Sequence, residues 1–203
     1  MITSCVAMAD APRYSPYNSS MASNYAYQWA LSKNPQYPDF SANTLQGGDC
    51  TNFVSQALHT GGWQYTASRD DKSTNTWYVA WNNAKRAFTN SQTWSTAAGF
   101  YRRIINDKYE KSVLPTSDLY SLRPGDIAFL TSGGKSHHTM IVTGYQEKPW
   151  WNPFASYGPL VSYHNGGVNP NTNMPNLPQQ NILLTEVIAR SPNDTPVFAK
   201  VRS

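Results

Sequence analysis

Cysteine and charge are both scarce in this chain. Of 203 residues two are cysteines and 14% are charged, with a formal net charge of +4. Two cysteines allow one bridge at most, so a disulfide-stapled fold is excluded. Far apart in the chain, and beside an adjacent His137–His138 pair, they do not give zinc-ligand spacing, so no metal is expected. No stretch of about 18 apolar residues occurs, and therefore no membrane-spanning helix is expected. No run of five or more basic residues occurs either, so no nucleic-acid partner is expected. The pI near 9.0 fits weak attraction to anionic cell-wall polymers instead.

What is abundant is neutral and polar: Asn, Ser, Thr and Gln, with 13 Tyr and 7 Trp. Such a surface suits an enzyme outside the cytoplasm that meets sugars and peptides. The length is enough to bury roughly 70% of the unfolded surface around one core. A single domain is expected over residues 21–203, behind an arm at 1–20. Ala7-Met8-Ala9 reads as the remnant of a leader, and disorder is the other reading of the arm. Helical patterns cover Met21 to Ser32, Cys50 to Thr60, Thr76 to Thr89 and Ser95 to Asp107. Strands follow from Asp126 onward, ending with Ile182 to Ala189 and Val197 to Val201. That segregation predicts an α+β fold.

The most informative run is Gly47-Gly48-Asp49-Cys50-Thr51-Asn52-Phe53-Val54-Ser55-Gln56. Cys50, Phe53, Val54, Ala57 and Leu58 share one helix face, which puts Cys50 in a first turn entered through two glycines. First-turn amides lack intrahelical partners, and the helix dipole adds about half a positive charge, so the thiol pKa is expected to fall. Asp49 reads as the helix cap, with a direct part in catalysis as its alternative. Asn52 and Gln56 read as braces for a neighbouring loop.

Leu122 to Leu130 is a turn feeding a strand, and Ser136 to Gly144 resumes one after Gly133-Gly134, which predicts a hairpin. Along that strand His138 keeps phase with Met140 and Val142, and His137 with Thr139 and Ile141. One of the two therefore faces the Cys50 helix. Leu160 to Gly167 is a further strand whose tip carries His164 and Asn165, either of which could orient the base.

These residues resemble the bacterial Putative amidase domain family, a relative of the NlpC/P60 and CHAP enzymes. The resemblance rests on Asn34-Pro35-Gln36-Tyr37-Pro38-Asp39-Phe40, the Gly-Gly-Asp-Cys-Thr-Asn-Phe-Val-Ser-Gln run, Gly61-Gly62-Trp63, His138-Thr139-Met140-Ile141-Val142 and Tyr163-His164. It implies a papain-like NlpC/P60-type fold, with N-terminal helices packed on a C-terminal antiparallel sheet. It also implies a cysteine amidase or peptidase in which Cys50 is the nucleophile, His138 the base and His164 the orienter. His137, Asp49 and Asn165 are alternates or supports. No cofactor is required, and peptidoglycan peptides are the leading substrate. Trp150 and Trp151, in a loop between the base strand and the His164 strand, either line a substrate cleft or pack in the core. Trp29, Trp77, Trp81 and Trp94 are expected in the core.

Two other functions use the same motifs. One is a secreted toxin that deamidates or acylates a protein target and is held by an inhibitor or immunity protein. The other is a wall-binding module that has lost activity.

Overall fold

The computed structural model describes residues 16–41, 48–164 and 177–202. Helix α1 (Ser19–Trp29) and helix α2 (Cys50–Thr60) come first, followed by a hairpin of β1 (Val79–Asn82) and β2 (Ala87–Asn90). Short helices α3 (Gln92–Ser95) and α4 (Ala97–Tyr101) continue into a π-helical turn at Arg102–Asn106. Strands β3 (Val113–Thr116), β4 (Ile127–Ser132), β5 (Lys135–Gln146), β6 (Gly158–Tyr163) and β7 (Gln179–Leu183), helix α5 (Leu184–Ala189) and strand β8 (Thr195–Val201) complete it. The six later strands form one antiparallel sheet in the order β3-β8-β4-β5-β6-β7. The mixed α+β class expected from the sequence is what is found.

Helix α1 starts where the Asn18 side chain accepts from the Met21 amide at 2.9 Å. Its small residues Ala22, Ala26 and Ala30 are fully buried and let α2 approach closely. At the end of α2, a Cβ on Gly61 would lie 2.7 Å from the Tyr17 ring and 2.9 Å from Ala22 Cβ, so only glycine fits there. Residues Cys50 to Leu58 are all buried, between α1, α3 and the sheet. A helix enclosed on every side must satisfy its polar groups internally. Thr51 Oγ1 meets Thr139 Oγ1 at 3.0 Å, Ser55 donates to the Trp94 carbonyl, and Gln56 Oε1 accepts from Tyr25 at 2.6 Å.

The sheet is buried on both faces. One face, carrying Ile127, Phe129, Ile141 and Ala199, packs with Phe53, Val54, Trp77, Trp94 and Phe100. The other, carrying Ala128, Leu130, Met140, Val142, Val161, Tyr163 and Phe198, packs with Leu184 and Val187 of α5.

Two expected elements differ, and one strand was not expected. Thr76 to Thr89 is not a helix: Trp81 pairs with Phe88 across the β1–β2 hairpin, and Trp81 is 54% exposed while Trp77 and Trp94 are core. Cross-strand aromatic pairing outweighs the accidental helical spacing of Trp77, Trp81 and Phe88. The expected strand Ile182 to Ala189 ends at Leu183, and α5 takes the rest because Leu184 and Val187 bury on one helical face. Strand β3 carried no expectation.

Candidate active site

Asp49 adopts φ −107° and ψ 0° after Gly48 at φ 81°, and Cys50 opens α2. A left-handed Gly48 is the conformation a glycine turn supplies; Gly47 lies outside the described residues. Cys50 is 1% exposed, and its Sγ is 3.7 Å from Thr51 Oγ1. Burial pushes the thiol up, and the negative charge of Asp49 adds to this. The backbone amide of Thr139 and the Thr51 hydroxyl oppose it without reversing it. The sequence-based expectation of a lowered thiol pKa is therefore overturned for the closed site, because desolvation outweighs the helix start.

Asp49 does not cap α2 with its side chain. Its carboxylate turns the other way and accepts four hydrogen bonds. Lys33 Nζ and His164 Nδ1 each donate to Oδ2 at 2.6 Å, and the Phe40 amide (3.0 Å) and Asn52 Nδ2 (2.7 Å) donate to Oδ1. Burial alone would raise this carboxyl, but His164 and Lys33 hold it below the usual carboxylate range. His164 is 1% exposed and stacks on Phe53, one turn from Cys50, with ring centroids 4.1 Å apart. Its Nε2 lies 2.8 Å from the Trp29 carbonyl oxygen, so each ring nitrogen faces an acceptor.

His138 is placed otherwise than expected. It pairs with Leu130 in the β4–β5 ladder and meets the Tyr163 ring edge-on at 4.7 Å, on the α5 face with Met140 and Val142. The face toward α2 belongs to Thr139 and Ile141. The His138 side chain thus lies on the sheet face opposite to that of Thr139 and Ile141. Its imidazole is pushed down to about 3, by burial first and by the charge of His137 second, and makes no side-chain hydrogen bond among the described residues. His137 does not take its place. A register shift leaves Leu130 opposite His138 but Thr131 opposite Ser136, so His137 sits in a bulge, with its Nε2 3.0 Å from Asp194 Oδ1. The bulge breaks the alternation that was to separate the two histidines.

Continuing the register that pairs Ile141 with Ser162 brings His164 opposite Thr139, on the α2 face. The structure therefore gathers Cys50, Asp49 and His164 at the start of α2 and leaves His137 and His138 elsewhere. Lys33 and Thr139 join that group without having been expected. Thr139 was readable from its phase with Ile141, whereas Lys33 sits in no periodic pattern. Asn52 does brace a loop, donating to the Pro38 carbonyl at 2.8 Å. Trp150 and Trp151 are exposed, at 93% and 68%, and line no core. Asn165 and Cys5 lie outside the described residues. Among the described residues no group of three or more His, Cys, Asp or Glu side chains is placed to hold a metal, and no helix is long and apolar enough to cross a membrane.

Comparison with known proteins adds a relative and a family. The uncharacterized protein YhbB of Bacillus subtilis (strain 168) is 28% identical over 128 residues, which is 62% of this chain and 37% of that protein. The chain thus spans well under half of that relative's length. No solved structure matches. Residues 16–176, which include Asp49, Cys50 and His164, match the model of the family described as Putative amidase domain, whose name denotes hydrolysis of amide bonds, and the chain belongs to that family.

Proposed function

We propose that the protein is a cysteine amidase of papain-like, NlpC/P60-type architecture, working outside the cytoplasm on the peptides of peptidoglycan. The observation that carries this reading is the grouping of one thiol, one imidazole and one carboxylate at the start of α2, against an antiparallel sheet. In this reading His164 serves Cys50 and Asp49 holds its Nδ1, as the acid does in a Ser-His-Asp triad. With the imidazole neutral, its proton on Nδ1 held by Asp49, sulfur attacks the amide carbonyl while the thiol proton passes to Nε2, and the Cys50 backbone N–H donates to the oxyanion. The imidazole returns the proton to the leaving amine. Water then hydrolyses the thioester, and the sulfur regains its proton.

The resting geometry is closed. The Trp29 carbonyl occupies His164 Nε2, and burial keeps the thiol protonated, so substrate entry must break the Trp29 contact before proton transfer. One observation favours a second assignment of the base: His138 is neutral, without a hydrogen bond among the described residues, and adjacent to Thr139, whose amide approaches the thiol. It would serve only after a change of strand phase.

Digestion of purified peptidoglycan, with mass analysis of the products beside a Cys50→Ala control, tests the function. New amino and carboxyl termini that depend on Cys50 are expected. Absence of new termini, or their appearance with the control, defeats the reading. Ammonia release from protein glutamine without chain cleavage would move the activity to side-chain deamidation.

A further inference from the structure

The β1–β2 hairpin, where a helix was expected, builds a cleft of about 920 Å³ that contains none of Cys50, Asp49 or His164. Its volume is in the range of small-ligand sites. One wall is Trp81, 54% exposed and held edge-on by Phe88 at 5.2 Å, so the indole is a fixed plate whose free face is open. Tyr78 also lines the cleft but is buried, with the Arg69 guanidinium 4.8 Å from its ring centroid. Between them Gln92, Thr89 and Asn82 present amides and a hydroxyl, which both donate and accept. Arg69 and Lys85 face one carboxylate, Asp71.

This combination restricts the occupant. Two cations against one acid give too little positive charge to track a nucleic-acid backbone. Polar side chains interleaved with the aromatics leave no continuous apolar strip for a helix or strand of a partner. A pyranose fits both features, with apolar C–H faces for an indole and a rim of hydroxyl or acetamido groups for amides. The floor of the cleft is α3, and α3 is tied to the Cys50 helix: Trp94 Nε1 donates to Asn52 Oδ1 at 2.7 Å and Ser55 donates to the Trp94 carbonyl at 2.9 Å.

We propose that the cleft walled by Trp81 is a glycan-binding subsite, which takes the sugar chain that carries the peptide. The identity of the polymer rests on the wall-substrate reading above; the binding itself does not, because it is read without turnover. The test titrates the Cys50→Ala protein with chitotetraose and, separately, cellotetraose, following heat of binding and the indole N–H resonance of Trp81. Saturable binding of at least one sugar with a shift at Trp81 is expected. Trp81→Ala should weaken it roughly three- to tenfold, and Gln92→Ala by a smaller factor. Trp150→Ala should leave it unchanged. Failure of both sugars to bind overturns the subsite, and so does binding that leaves the Trp81 resonance unmoved or depends on Trp150 instead. Sugar binding without any wall digestion by the unsubstituted protein would defeat the amidase reading alone.

Discussion

The two faces of the central sheet treat their histidines differently. On the α2 face His164 has an acceptor at each ring nitrogen, Asp49 at 2.6 Å and the Trp29 carbonyl at 2.8 Å. On the α5 face His138 is as well enclosed but meets a tyrosine ring, and it is pushed down to about 3. Burial is shared; what differs is the polar company. A buried imidazole whose charged form has no partner gives up the charge, as His138 does. The polar contacts to a buried histidine ring thus lie on the α2 face.

The strongest way to break that comparison is by mutation. Cys50→Ala should lower amide hydrolysis by about 10⁴-fold or more, since the thioester forms on that sulfur. Next, His164→Ala should lower kcat by about 10²- to 10⁴-fold, and His138→Ala by less than about tenfold. Steady-state kinetics on one peptide substrate decides. The reverse order would return the base to the α5 face and show that β5 changes phase when substrate binds.

Stability offers an independent measure of the same network. Asp49→Ala removes the shared hydrogen-bond partner of Lys33 and buried His164 and is expected to cost about 3–5 kcal/mol in urea unfolding. Lys33→Ala should cost no more than about 1 kcal/mol, because that side chain is 38% exposed and solvent screens it. Equal losses would mean that Lys33, not His164, is the principal partner of Asp49.

How much of this was legible in the sequence depended on whether a local pattern or a distant partner decided. Helix α2 runs from Cys50 to Thr60, the span its apolar spacing predicts, because its first turn and its face are both local properties. The β4–β5 hairpin was equally plain from Gly133-Gly134. The bulge at His137 was not, since nothing in Ser136-His137-His138 says that one residue will be left unpaired opposite Thr131. That one irregularity undoes the argument from alternation for His137, while the phase that His138 shares with Met140 and Val142 holds and puts it on the α5 face. Asp49 had been read as a local cap, whereas its partners Lys33 and His164 come from elements far away in sequence. Burial of the thiol is likewise a tertiary property that first-turn position cannot reveal.

A smaller effect separates the faces by pH. His138 has a folded value of about 3 against 6.5 ordinarily, so the unfolded chain takes up a proton that the folded chain refuses. Its contribution to stability is full above pH 6.5 and is lost progressively as pH falls toward 3. Asp49, held below the usual range, adds its loss only below about pH 4, where the unfolded carboxyl begins to protonate. Thermal unfolding between pH 7 and about 4.5 should therefore show a decline that His138→Phe flattens and Asp49→Asn does not. An unchanged slope in His138→Phe would mean that water reaches that imidazole and relieves its desolvation.

The smallest effect concerns Trp150 and Trp151, which the sequence offered as cleft residues. Both lie between β5 and β6 with the indoles largely in water, at 93% and 68% exposure, and Phe154 beside them is 93% exposed. Side chains that bury little area on folding contribute little, so the double Ala variant should shift unfolding by less than about 0.5 kcal/mol. By the same reasoning Trp81 is the more consequential of the exposed indoles, because Phe88 fixes its ring and the cleft gives it a neighbour to work with. Turnover on intact peptidoglycan sharpens the contrast. Trp81→Ala should raise KM with kcat nearly unchanged, as expected when binding is lost equally from ground and transition states, and the Trp150/Trp151 variant should match the parent in both. A KM increase confined to the Trp150/Trp151 variant would move the substrate contact to the β5–β6 loop and leave the hairpin cleft without a role in wall binding.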